Sequence, residues 1–234
     1  MICRYLRVLL ALVCVGQVSS AMASCWTPMS EDRLLEFTLI GYNSPDPAAF
    51  LLRGHFDTFS DDGTLCVGDS AAQTSTFNVT VQMGAVEVEQ QQVTKMLQGT
   101  DFFDVAHWPT ATFVTTSIEQ LGDPAEQAIF TDKSDAGFNV KGKLTLRGVT
   151  RDVTLAATLT RKIRLLPLDI KLGKGQDIAI LDGTLSINRL DYGIGQNFWG
   201  KTDYLSDRVN IHFNIYMLSS AGAPAAQSPK VGNR

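Results

Sequence analysis

The run Gly195-Gln196-Asn197-Phe198-Trp199-Gly200-Lys201-Thr202 matches the phosphate-loop pattern G-x-x-x-x-G-K-[ST] letter for letter. That pattern binds phosphate only where a strand feeds a helix whose N-terminal amides point at the anion. Here the next periodic segment, from Val209, alternates as a strand, and Phe198 and Trp199 crowd any cradle. Nucleotide binding is therefore not expected. The three histidines, His55, His107 and His212, fall in separate segments without metal-ligand spacing. No G-x-S-x-G elbow or C-x-x-C pair is present to activate a nucleophile. Asp101 and Asp104 bracket Phe102-Phe103 in the manner of a glycosidase's paired acids, but after Gly99 they read as turn and capping residues, as do Asp61-Asp62-Gly63. The expectation is a protein that is not an enzyme, with no catalytic residue, no metal ligand and no cofactor. Arg189 and Asp191 flank Leu190 at strand spacing. They read as an ion pair closing a strand end; in a second reading Arg189 meets a polar head group such as a diphosphate or a quinone carbonyl.

The elements that would position these residues are mostly strands. Phe77, Val79, Val81 and Met83 alternate with Asn78, Thr80 and Gln82, and Phe138, Val140, Leu144 and Leu146 alternate with polar neighbours. Period-two alternation of this kind marks half-buried antiparallel strands. Further runs at Leu35 to Leu39, Phe50 to Asp57, Thr110 to Ile118, Val153 to Leu159, Leu181 to Ile187 and Val209 to Met217 bring the count to about eight. Only Glu87 to Gln98 has helical spacing, through Val93, Met96 and Leu97, with Gly99 as its stop. Eight antiparallel strands and one helix close into a barrel or pack as two sheets. The inward aromatics, Phe37, Phe56, Phe77, Phe113, Phe138 and Phe213, serve a solid core and a ligand-filled barrel equally well, so alternation does not separate the two.

The first 23 residues carry Arg4 and Arg7, an uncharged run from Val8 to Val18, and Ala21-Met22-Ala23. That order is a secretory leader, and cleavage is expected near Ala23. Its loss leaves 18 basic residues against 24 acidic ones, net −6, a charge that repels nucleic acid. Cys3 and Cys14 leave with the leader, so Cys25 and Cys66 remain. A disulfide in an oxidising compartment is the favoured reading; acylation of Cys25 and free thiols are the others. Residues 24–218 read as one domain and 219–234, rich in Ala, Pro, Ser and Gly, as a disordered tail.

Asp101-Phe102-Phe103-Asp104, Trp108-Pro109-Thr110-Ala111-Thr112-Phe113, Gly142 to Thr150 and Ile187-Asn188-Arg189-Leu190-Asp191-Tyr192-Gly193-Ile194-Gly195, with Phe37 and Gly54 to Phe59 upstream, carry a resemblance to the YceI-like family of lipocalin-like, polyisoprenoid-binding periplasmic proteins. The resemblance runs in family order from about Leu34 to Leu218. It implies an all-β, eight-stranded antiparallel barrel with one short helix over an opening, holding a long apolar chain in the periplasm. On this reading the lipid-contacting residues are Phe37, Phe56, Phe77, Val79, Val81, Phe102, Phe103, Trp108, Phe113, Leu144, Leu146, Ile187, Arg189, Trp199 and Phe213. The ligand is a polyisoprenoid, an isoprenoid quinone or a fatty chain. A non-catalytic envelope interaction module with a filled core is the alternative. The implied partners are an apolar lipid and, transiently, a membrane or membrane protein, and a homodimer stays open.

Overall fold

The computed structural model describes residues 24–42, 49–67, 75–122, 135–162, 177–200 and 205–219; the expected leader and all but the first residue of the expected tail lie outside them. Ten strand elements and one helix follow the chain: β1 (Ser24–Tyr42), β2 (Ala49–Phe56), β3 (Phe59–Val67), β4 (Thr76–Gln82), β5 (Val86–Val88), α1 (Gln91–Gln98), β6 (Thr110–Leu121), β7 (Asp135–Leu146), β8 (Val149–Lys162), β9 (Ile178–Asn188) and β10 (Leu205–Ser219). All pairings are antiparallel, and β10 pairs back onto β1. β2 and β3 are two arms of one bent strand: Glu36 faces His55 and Cys25 faces Cys66 in a single register against β1. β4 and β5 are likewise one strand, broken by a 3-10 turn at Met83–Ala85. The result is a closed eight-stranded antiparallel barrel.

Two boundaries differ from the sequence reading. Asp61-Asp62-Gly63 is not a turn but the middle of β3, paired with Phe77, Asn78 and Val79. There Asp61 accepts a 2.6 Å hydrogen bond from Arg33, whose guanidinium also lies over the Phe59 ring. This ion pair fastens β1 where its register against β10 slips between Pro28 and Arg33. The helix begins at Gln91 rather than Glu87, because Val86–Val88 is taken up pairing with β2. Slips also explain the parity of burial. Phe113 and Ile118 both face inward although one is odd and one even, since a bulge between Thr115 and Ser117 flips the strand.

Inside, the two ends of the barrel differ. At the end carrying the Cys25–Cys66 disulfide, Trp26, Leu65, Val67, Ile118, Phe138, Leu159, Ala179, Ile215 and Met217 pack solidly. A gap among Leu65, Ile118 and Phe138 there measures only about 10 Å³, room for no more than a single water. Towards α1 the interior opens. Three phenylalanines contribute to this by setting their rings against inward glycines of neighbouring strands: Phe37 on Gly54, Phe113 on Gly142 and Phe213 on Gly183. A Cβ at any of these glycines would collide with the ring. Gly183→Ala is therefore expected to lower stability by about 1–3 kcal/mol through overpacking. Gly137→Ala, whose nearest side-chain atom is 3.5 Å away, is expected to be neutral. Urea midpoints of the two variants check this.

Candidate functional site: an apolar cavity under a helical lid

The open half of the barrel encloses about 760 Å³. Its walls are the inward faces of β1 (Leu35, Phe37, Leu39), β4 (Phe77, Val79, Val81), β6, β7, β9 and β10. α1 closes the top with Val93, Met96 and Leu97, followed by Phe102 and Phe103. The ring of Phe103 meets those of Phe37 and Phe56, and Phe102 meets Trp199. The lid turn is held by its backbone, with Phe103 N–H donating to Leu97 and Asp104 N–H to Gly99. Asp104 sits at φ 49° and accepts from the His107 ring at 2.8 Å, the local turn role expected of it.

A second segment, Arg189 to Gly200, completes the lid. Asn188 accepts from the Leu190 amide and starts a 3-10 turn over Arg189–Tyr192. The strand spacing assumed for Arg189 and Asp191 therefore fails: Arg189 turns inward to 2% exposure while Asp191 stays outside. The guanidinium donates to the carbonyls of Ser206, Ile194, Gly195, Trp199 and Leu205 at 2.5–3.1 Å and to Asp207 at 3.2 Å. Its ion-pair partner is thus Asp207, not Asp191. Burial lowers its pKa from the usual arginine value, with Asp207 countering, and it remains cationic. All of its nitrogens are engaged, so it borders the cavity without a donor to spare for a head group. Gly195 N–H donates to the Asp101 carbonyl, and Arg147 donates to Gly193 and Thr100 carbonyls, tying the two lid segments together.

The phosphate-loop letters belong to this same lid. Asn197–Gly200 is a 3-10 turn and the next described element is β10, so among the described residues no α-helix follows the motif to offer its N-terminus to an anion. Of the fifteen expected lipid contacts, all line the cavity except Trp108, which is 43% exposed and covers Gly148 at the β7–β8 turn. Sequence reasoning did not single out Leu39, Leu185, Val209 or Ile211, though alternation marks them, nor the polar residues at the mouth. There the cavity reaches the surface beside Leu51, 59% exposed, with Arg53, His55, Glu89 and Gln90. The opening follows from pairing, because β5 covers β2 only over Gly54–Phe56 and leaves Leu51–Arg53 without it.

A family model for the YceI-like domain matches residues 48–217. The chain belongs to the YceI-like family. Protein YceI of Salmonella arizonae is 33% identical over 105 residues, 44% of this chain and 48% of that protein. This YceI-like chain spans about half the length of the curated relatives it matches. Among solved structures, Burkholderia cenocepacia BcnA superposes with a TM-score of 0.56 at 24% identity, over 79% of this chain and 95% of that one. A polyisoprenoid binding domain from Saccharophagus degradans gives 0.55 at 14% identity, over 83% and 98%. Both likenesses show the fold. Among the described residues no helix is long and apolar enough to cross a membrane.

One titration follows from the lid. Tyr192 is buried, and burial first, then Asp191, push its phenol up to about 12, with Arg151 opposing. An unfolded tyrosine titrates near 10, so the contribution of this group to stability is whole below about pH 10 and is lost as pH rises through about 12. Wild type is expected to lose stability more steeply than Tyr192→Phe across that window, as read by urea midpoints at stepped pH.

Proposed function

We propose that this YceI-like chain binds one long apolar lipid, a polyisoprenoid, an isoprenoid quinone or a fatty chain, in the open half of its barrel, and carries or shields it in the periplasm. The cavity carries this reading. It falls within the roughly 300–1,000 Å³ of pockets that enclose small molecules, and its interior walls are almost wholly aliphatic and aromatic. At about 30 Å³ per non-hydrogen atom, a water's share of its liquid, 760 Å³ holds roughly 25 atoms. That is a chain of about four or five isoprene units; a longer one would leave its end protruding at the mouth. Each buried methylene contributes about 0.8 kcal/mol, enough over sixteen carbons to outweigh ordering costs.

The reading is supported by the likeness to a domain described as polyisoprenoid binding, and the disulfide and leader-like N-terminus fit export. An interior offering apolar contact, with Arg189 saturated, supports binding over catalysis. The open volume speaks against the solid-cored alternative. The polar end of the ligand belongs at the mouth, near Arg53 and Gln90, rather than on Arg189.

The test is competition for a fluorescent polyene fatty acid by twenty-carbon isoprenoids ending in an alcohol, a diphosphate or a quinone. Saturable one-to-one uptake, displaced by at least one of these, is expected. No uptake of any long-chain probe would remove the basis for the proposal.

A further inference from the structure

We propose that His55, Asp57 and Glu87 form a binding site for a divalent transition-metal ion of the zinc class on the rim of the cavity. His55 on β2 and Glu87 on β5 are directly opposed across the sheet, and Asp57 follows two residues after the histidine. One atom from each lies within 4.8 Å of the others. The His55 Nε2 is 3.1 Å from Asp57 Oδ1 and 3.9 Å from Glu87 Oε2. Ligands held at about 2.1 Å in a tetrahedron stand roughly 3.4 Å apart, between those two distances, so small rotamer shifts suffice to close the site. One imidazole and two carboxylates suit a borderline ion such as zinc better than calcium or magnesium, which take oxygen alone.

His212 supplies the contrast. It too has two carboxylates in reach, Asp182 at 2.8 Å and Glu36 at 3.9 Å, but on opposite ring nitrogens, Nε2 and Nδ1. No single ion can bind all three, whereas at His55 both acids converge on the same nitrogen. Among the described residues His107 has one carboxylate partner, Asp104. Three protein ligands leave a fourth position for water or for an oxygen of whatever occupies the mouth, and His55 itself lines that mouth. The site does not depend on the lipid reading.

The test is calorimetric titration of untagged, lipid-stripped protein with zinc chloride, in wild type and in His55→Ala, Glu87→Gln and His212→Ala. One saturable site is expected in wild type and His212→Ala, weakened about tenfold or more in the other two, as loss of a metal contact implies. Zinc should also raise the urea midpoint of wild type and not that of His55→Ala, which separates lost binding from lost folding. Absence of zinc binding in wild type, or equal binding by His55→Ala, overturns the proposal. Zinc uptake without lipid uptake, or the reverse, distinguishes the fate of this site from that of the cavity.

Discussion

Arg189→Leu is expected to cost about 3–5 kcal/mol of stability, the range for removing one member of a buried charged network, and to loosen the second lid segment. The side chain is uncharged and of similar bulk, so packing alone would predict a mild effect. The loss comes instead from five carbonyls, those of Ser206, Ile194, Gly195, Trp199 and Leu205, and from Asp207, all of which lose their donor together. A buried acceptor left unsatisfied costs about 1–3 kcal/mol, and local relaxation towards water recovers only part of the sum. Arg189→Lys should restore little, because one ammonium with three donors cannot reach a fan of six acceptors. The urea midpoint checks both variants. A wild-type midpoint for Arg189→Leu would mean that the fan does not hold the lid, and would reopen a head-group role for this residue.

Leu185→Trp carries the second large effect. Leu185 sits on β9 opposite Ile211, faces the open volume and is only partly buried among its neighbours. An indole there enters space rather than a packed wall, so stability is expected to hold or rise slightly while long-chain lipid binding falls at least about a hundredfold, near 3 kcal/mol. Thr184→Trp, one residue away on the exposed outer face, should leave binding unchanged. Fluorescent probe titration reads both. Equal binding by Leu185→Trp would place the ligand somewhere other than this cavity.

Most of the barrel was legible because its signal is local. Every strand must turn one face to an apolar interior, and that alternation reads the same whether the interior is full or hollow. Hollowness is a sum over strands. It depends on Phe37, Phe113 and Phe213 lying against the wall over glycines of other strands, pairings that no stretch of sequence contains. The resemblance to the family, more than periodicity, pointed to Phe102, Phe103 and Trp199 as cavity residues. Arg189 was misread because Asn188 bends the chain with its own side chain, which makes a strand-like spacing into a turn. Asp61 was misread for the opposite reason: a turn-forming triplet is held in a strand by Arg33, 28 residues away. The mouth at Leu51–Arg53 was invisible because it arises from where β5 stops pairing, not from the residues that line it.

The most direct test of lipid binding is native mass spectrometry of the protein purified from the cells that naturally produce it, followed by organic extraction of what it releases. A single stoichiometric adduct is expected, which extraction identifies as a polyisoprenoid, an isoprenoid quinone or a fatty chain, with roughly 25 non-hydrogen atoms enclosed in the cavity. A bare polypeptide mass, unchanged after incubation with such lipids, would contradict it.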